Sequence, residues 1–396
     1  MIKQRLAGDT APANGGALKA LRRCLFFISA PMVFITFALP LRAEDLGGTA
    51  IQIGALYSIF TISVFVIRPL TGVGLDAIGR RPFFLAAALF YFAANLFYAT
   101  NSSIEGLYVA RALQGFGFAI LAITTEAITS DITDARTRAA AMGANIASQT
   151  RGGMVGATVG FTLVGMIPLY AWAYSFWIFT AVSVGAIAIA AGSLPETAAR
   201  QRGTPVRQSF SMPPQYLQIL AIIFSAAFAG ALIQPYYLIY LRARFDVELY
   251  MLALAFLPIG VAYAALPSLL GRFSDKIHRA SAIALGLVLT ATFYGLVPIA
   301  GGFFWVIGAF LAAAIGSVLL DLTKNAWVAD ISVEGTIGRT FGLAALASGG
   351  GAATGPLAGG YIYDAYGPDY LFFAAAIILF GVALVAIALR PRTSAI

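Results

Sequence analysis

Apolar runs of roughly 20 residues recur along the chain, each interrupted by a short polar stretch. At 1.5 Å of rise per residue, such a run crosses the hydrocarbon core of a bilayer as a helix. Lipid offers backbone N–H and C=O groups no partners, so a lone apolar run of this length has to satisfy them internally, which means helix. The short alternating segments of a β-barrel are absent. With 60% hydrophobic and only 11% charged residues, the 396-residue chain reads as an all-α polytopic membrane protein.

Twelve spans are expected, near 22–41, 50–70, 82–100, 105–130, 138–166, 171–194, 216–241, 248–270, 280–299, 302–329, 340–362 and 370–389. The longest polar break, LPETAARQRGTPVRQSFSMPP, divides the chain. The expected organisation is an N-terminal tail over 1–21, a six-helix half over 22–194, a linker over 195–215, a second six-helix half over 216–390 and a short tail over 391–396. Most of the 25 Lys and Arg residues fall on one side if both termini are cytosolic, as the positive-inside rule requires. The net charge of +8 therefore calls for a bilayer as partner, not nucleic acid. The polar start MIKQRLAGDTAPANGG reads as a cytosolic tail, not a signal peptide. One cysteine, Cys24, and one histidine, His278, exclude a cysteine-based or multi-histidine metal site and argue against a membrane enzyme.

Shifted by 199 residues, the sequence matches itself. Gly72, Asp76, Ile78 and Arg80 fall on Gly271, Asp275, Ile277 and Arg279. Asp131 and Ile132 fall on Asp330 and Ile331, and Gly152, Gly156 and Gly160 fall on Gly351, Gly355 and Gly359. Two parallel halves of six spans suit alternating access around a midplane site.

Six plus six spans and the stretch RPLTGVGLDAIGRRP resemble the major facilitator superfamily, nearest its 12-span drug and metabolite antiporter branch. The resemblance covers the whole chain. It is carried by Gly72, Asp76, Gly79, Arg80 and Arg81 between spans 2 and 3, and by Leu107, Arg111, Gln114, Gly115 and Gly117 in span 4. It implies that Asp76 meets the start of span 11, that Arg80 pairs with Asp131, and that these contacts act as a cytosolic gate. The copy at Gly271, Asp275 and Arg279 is degraded, with His278 in place of glycine, so a weaker second latch is expected. The resemblance also implies that Arg111 helps couple protons.

Ionisable groups inside a membrane are costly and by default suggest function. Glu126, one to two turns from the inner end of span 4, is the first candidate proton carrier. It lies roughly 22 Å along the helix from Arg111, too far to pair with it. Arg151, in the middle of span 5, either pairs with Glu126 or anchors an anionic substrate. Asp321 and Lys324 share a face of span 10, where they can neutralise one another, and Asp321 is the next proton candidate. Gln114, Gln234 and Tyr237 complete the candidate substrate cavity.

In the antiporters of the resembled branch, span 5 carries Gly-x-x-x-Gly-Pro-x-x-Gly. Here the glycines are present, but Ala157 stands where proline belongs; the span-11 copy, with Pro356, is complete. The expectation is a monomeric secondary transporter in the bacterial inner (plasma) membrane, driven by the proton gradient without a bound cofactor. It would export small amphipathic or anionic compounds in the manner of a multidrug antiporter. The alternative is a symporter importing a sugar or organic anion.

Overall fold

The computed structural model describes residues 11–134, 137–167, 169–197, 214–247, 266–331 and 337–388, with single residues at 251, 258 and 262. These form helices and connecting turns, and no strand occurs among the described residues. The chain divides into two compact units, one comprising Met1–Gly48 and Ile59–Thr204, the other Thr49–Ser58 and Pro205–Ile396.

The first unit contains α1 (Ala11–Ile28), α2 (Ala30–Asp45), most of α3 (Ala50–Ile78), α4 (Arg80–Thr100), α5 (Ile104–Ile132), α6 (Arg138–Met166) and α7 (Ala171–Ser193). The expected first span is thus two helices. Pro31 lacks the N–H that would continue the ladder, and Met32 N donates instead to Ser29 O at 3.0 Å. α3 does not end near residue 70. It runs through Gly72 and Asp76 to Ile78 and stops where Gly79 adopts a φ of +117°. The core of this unit is built on Leu25, Ile28, Phe84, Tyr91 and Ile120. Cys24 is fully buried in it, its Sγ 3.7 Å from Ala186 O.

The second unit contains α8 (Pro214–Ile233), α9 (Tyr237–Phe245), α10 (Pro267–Lys276), α11 (Arg279–Leu296), α12 (Phe303–Asp330), α13 (Ile337–Tyr366) and α14 (Pro368–Ala388). The expected seventh span is broken at Gln234–Tyr236, where Pro235 interrupts the ladder and Tyr236 N turns to Ile233 O at 2.9 Å. Most of the expected eighth span lies outside the described residues. The first turns of α3 also belong here. The Asp364 carboxylate accepts from Ala50 N and Ile51 N at 3.1 and 3.0 Å, and the Tyr236 hydroxyl sits between Ala50 O and Pro356 O.

Packing repeats from unit to unit. In the first, α4 packs on α5 and α7, and α1 and α2 pack on α6. In the second, α11 packs on α12 and α14, and α8 packs on α13. The glycine triplets explain the last pair of contacts. A Cβ at Gly152, Gly156 or Gly160 would strike Phe26 O, Ala30 O or the Phe34 ring; at Gly351, Gly355 or Gly359 it would strike Phe224 O, Phe228 O or Leu232 O. Each stripe lets two backbones approach within its own unit, as small residues do between membrane helices.

Candidate functional site

The turn between α3 and α4 is held by side chains from two other places in the first unit, the end of α5 and the stretch after α7. Arg80 Nε donates to Asp131 Oδ2, near the end of α5, at 3.1 Å, and Arg80 Nη1 donates to Leu75 O at 2.7 Å. Glu196, just beyond α7, accepts from Arg80 N and Arg81 N at 2.8 and 3.1 Å. Its carboxylate thereby caps the start of α4, where the helix dipole favours negative charge. Thr197 Oγ1 donates to Asp131 Oδ2 at 3.0 Å, and Arg81 Nη2 donates to Ala191 O. Glu196 and Thr197 were not anticipated from sequence. The acid in LPET, two residues beyond the expected sixth span, is the available signal.

In the second unit Arg279 Nε donates to Asp330 Oδ2 at 3.0 Å, and Arg279 Nη1 reaches Ser274 Oγ at 3.4 Å. His278, where the first copy has Gly79, has an ordinary φ of −61° and caps α11 by accepting from Ala280 N at 3.3 Å. Gly72 and Gly271 lie on the last turns of α3 and α10. The side chains of Asp76 and Asp275, and hence the expected contact of Asp76 with span 11, lie outside the described residues.

Arg111 is buried in the first unit. Its Nη1 donates to Gln114 Oε1 at 2.7 Å, and its guanidinium carbon stands 4.5 Å from the centre of the Phe60 ring. The Tyr98 hydroxyl donates to the same Gln114 oxygen at 3.2 Å. A guanidinium taken out of water needs an acceptor and a polarisable face, and Gln114 and Phe60 supply them. The Gln114 side chain is thus engaged by Arg111 and Tyr98. Tyr237 is likewise buried, its ring packed against Phe293 and Phe310.

Glu126 opens into a cavity of about 260 Å³ within the first unit, together with Met32, Phe118, Met142, Asn145 and Gln149. Arg151 is exposed on α6, and the two form no ion pair with one another among the described residues. The glycine face of α6 is turned to α1 and α2, and Arg151 shares a helix with that face but is not drawn into its packing. In the second unit a cavity of about 410 Å³ gathers Gln234, Asp321 and Lys324, with Ser317 and Ser348. Lys324 Nζ donates to Asp321 Oδ1 at 2.7 Å, as their spacing on one helix face anticipates. No cluster of three or more metal-binding side chains occurs among the described residues.

The family description Major Facilitator Superfamily matches residues 24–262 and 219–395. The human chromaffin granule amine transporter is 26% identical over 338 residues, covering 83% of this chain and 63% of that protein. The chain thus spans less than two thirds of that relative's length. Multidrug resistance protein 1 of Bacillus subtilis (strain 168) is 21% identical over 345 residues, 86% of this chain and 87% of that one. The crystal structure of a bacterial homolog to the human lysosomal transporter Spinster superposes with a TM-score of 0.77, at 16% identity, over 95% of this chain and 97% of that one.

Proposed function

Because the chain belongs to the Major Facilitator Superfamily and is a membrane transporter, not an enzyme, we propose that it exports small amphipathic amines in exchange for protons. The observation that carries this reading is the exposed carboxylate of Glu126 in a cavity walled by Met32, Phe118 and Met142. A carboxylate can hold a proton or pair with an ammonium, but not both at once. Competition for one group couples the two movements in opposite directions. Soft thioether and aromatic walls suit varied apolar bodies behind the charge. Two relatives, an amine transporter and a multidrug resistance protein, support the same class. The Arg80–Asp131–Glu196 network would then be one of the cytosolic contacts that must release in each cycle.

The test uses inside-out vesicles whose lumen is acidified by respiration. Adding an amphipathic amine should raise luminal pH, and the response should vanish in Glu126→Gln but persist in Asp9→Asn. A response unchanged in Glu126→Gln would remove the proton from α5. A second reading is import of an organic anion anchored at Arg151, favoured by that side chain's exposure away from Glu126. It predicts carboxylate uptake into right-side-out vesicles, lost in Arg151→Gln, with no luminal pH response to amines.

A further inference from the structure

Among the described residues, the cavity of the second unit carries one cation and one anion side by side, and the other lining residues are neutral. Ser317, Asp321 and Lys324 fall at i, i+4 and i+7 of α12 and so share one face. Asp321 lies nine residues from the inner end of its helix, roughly 14 Å along it, well within the span. Its side chain is 45% exposed and that of Lys324 is 26% exposed, so both reach the open space. Gln234 and Ser348 add neutral hydrogen-bonding groups, and Ile222 and Leu320 supply aliphatic wall.

We propose that this cavity binds the head of a small zwitterion, an amine with a carboxylate beside it, with the carboxylate on Lys324 and the ammonium on Asp321. The argument is one of charge balance. In a span, an uncompensated charge is costly, and the present pair cancels itself. A simple amine on Asp321 adds a positive charge to the cavity, and a simple carboxylate on Lys324 adds a negative one. A dipolar head exchanges one internal ion pair for two external ones and leaves the net charge at zero. The volume of about 410 Å³ lies in the usual range for small-molecule pockets. This site is distinct from the Glu126 cavity and goes beyond the amine exchange proposed above; its binding requires neither proton coupling nor a direction.

Three probes with one skeleton test it on the purified full-length protein in detergent: phenylalanine, phenethylamine and 3-phenylpropionate, titrated by ligand-dependent thermal stabilisation. Phenylalanine should bind at least roughly tenfold more tightly than either analogue. Lys324→Gln should reduce phenylalanine to the level of phenethylamine, and Asp321→Asn to that of 3-phenylpropionate. The double variant Asp321→Asn/Lys324→Gln removes the pair without leaving a lone charge; it should fold as the parent does and lose the preference altogether, which decides the matter if a single variant does not fold. The binding titration needs no gradient, whereas amine exchange is read as a luminal pH response, so failure of this site and failure of that reading are separable results. Equal affinity for the three probes, no binding of any, or a preference that survives the double variant would overturn the proposal. So would phosphoethanolamine competing better than phenylalanine, which would mark a lipid headgroup site.

Discussion

The Arg80–Asp131 and Arg279–Asp330 pairs use the same atoms, at 3.1 and 3.0 Å, on equivalent helices of the two units. Their surroundings differ. The first pair is the more enclosed, with side-chain exposures of 15% and 26% against 26% and 53%. It is also flanked by Glu196 and Thr197, which fix the start of α4 and the Asp131 carboxylate. The second has a histidine cap and a serine neighbour instead. A repeated sequence has kept the contact and let its support diverge. Since an exposed ion pair contributes little on its own, the support decides how strongly each turn is held.

The comparison can be broken at several levels. The largest effect is expected where the units are alike. Gly156→Leu and Gly355→Leu should each push a backbone off its partner, costing at least about 3 kcal/mol and depleting folded protein in size-exclusion profiles. Loss in one variant alone would end the equivalence of the two glycine stripes. Next comes the asymmetry of the turns. Arg80→Ala should lower amine-driven proton release by roughly tenfold and Arg279→Ala by only about twofold; equal losses would show that Glu196 and Thr197 add nothing. Glu196→Ala should then cost about 1 kcal/mol of stability by removing a helix cap, read as a lowered melting temperature in detergent. Smallest is His278→Ala, at about 0.5 kcal/mol by the same measurement, because the imidazole caps a single N–H.

The repeat was legible from sequence because it rests on residues with little freedom to vary in kind. Glycines must stay small where backbones meet, and Arg and Asp must stay charged where they pair. Hydropathy windows, in contrast, average over single positions. They passed over Pro31 and Pro235, each of which splits an expected span into two helices. They also cannot say which way a polar side chain turns. Gln114 was expected to face substrate, yet the buried guanidinium three residues earlier claims its oxygen. Tyr237, placed in the candidate cavity by sequence, packs its ring against a stacked pair, Phe293 and Phe310. Glu196 is not legible in the sequence because it stands among the polar residues after α7, and only the fold brings it to the start of α4, 115 or 116 residues away.

The lone thiol of this protein, Cys24, has no exposed surface and sits among the innermost side chains of its unit. Water-soluble maleimides should therefore leave the native chain unlabelled. A cysteine placed at Gln149 or Gln234 would be the sole reactive group, with every other residue in place. Its rate of modification, from one side of the membrane and then the other, would report how long each cavity spends open to each compartment during turnover.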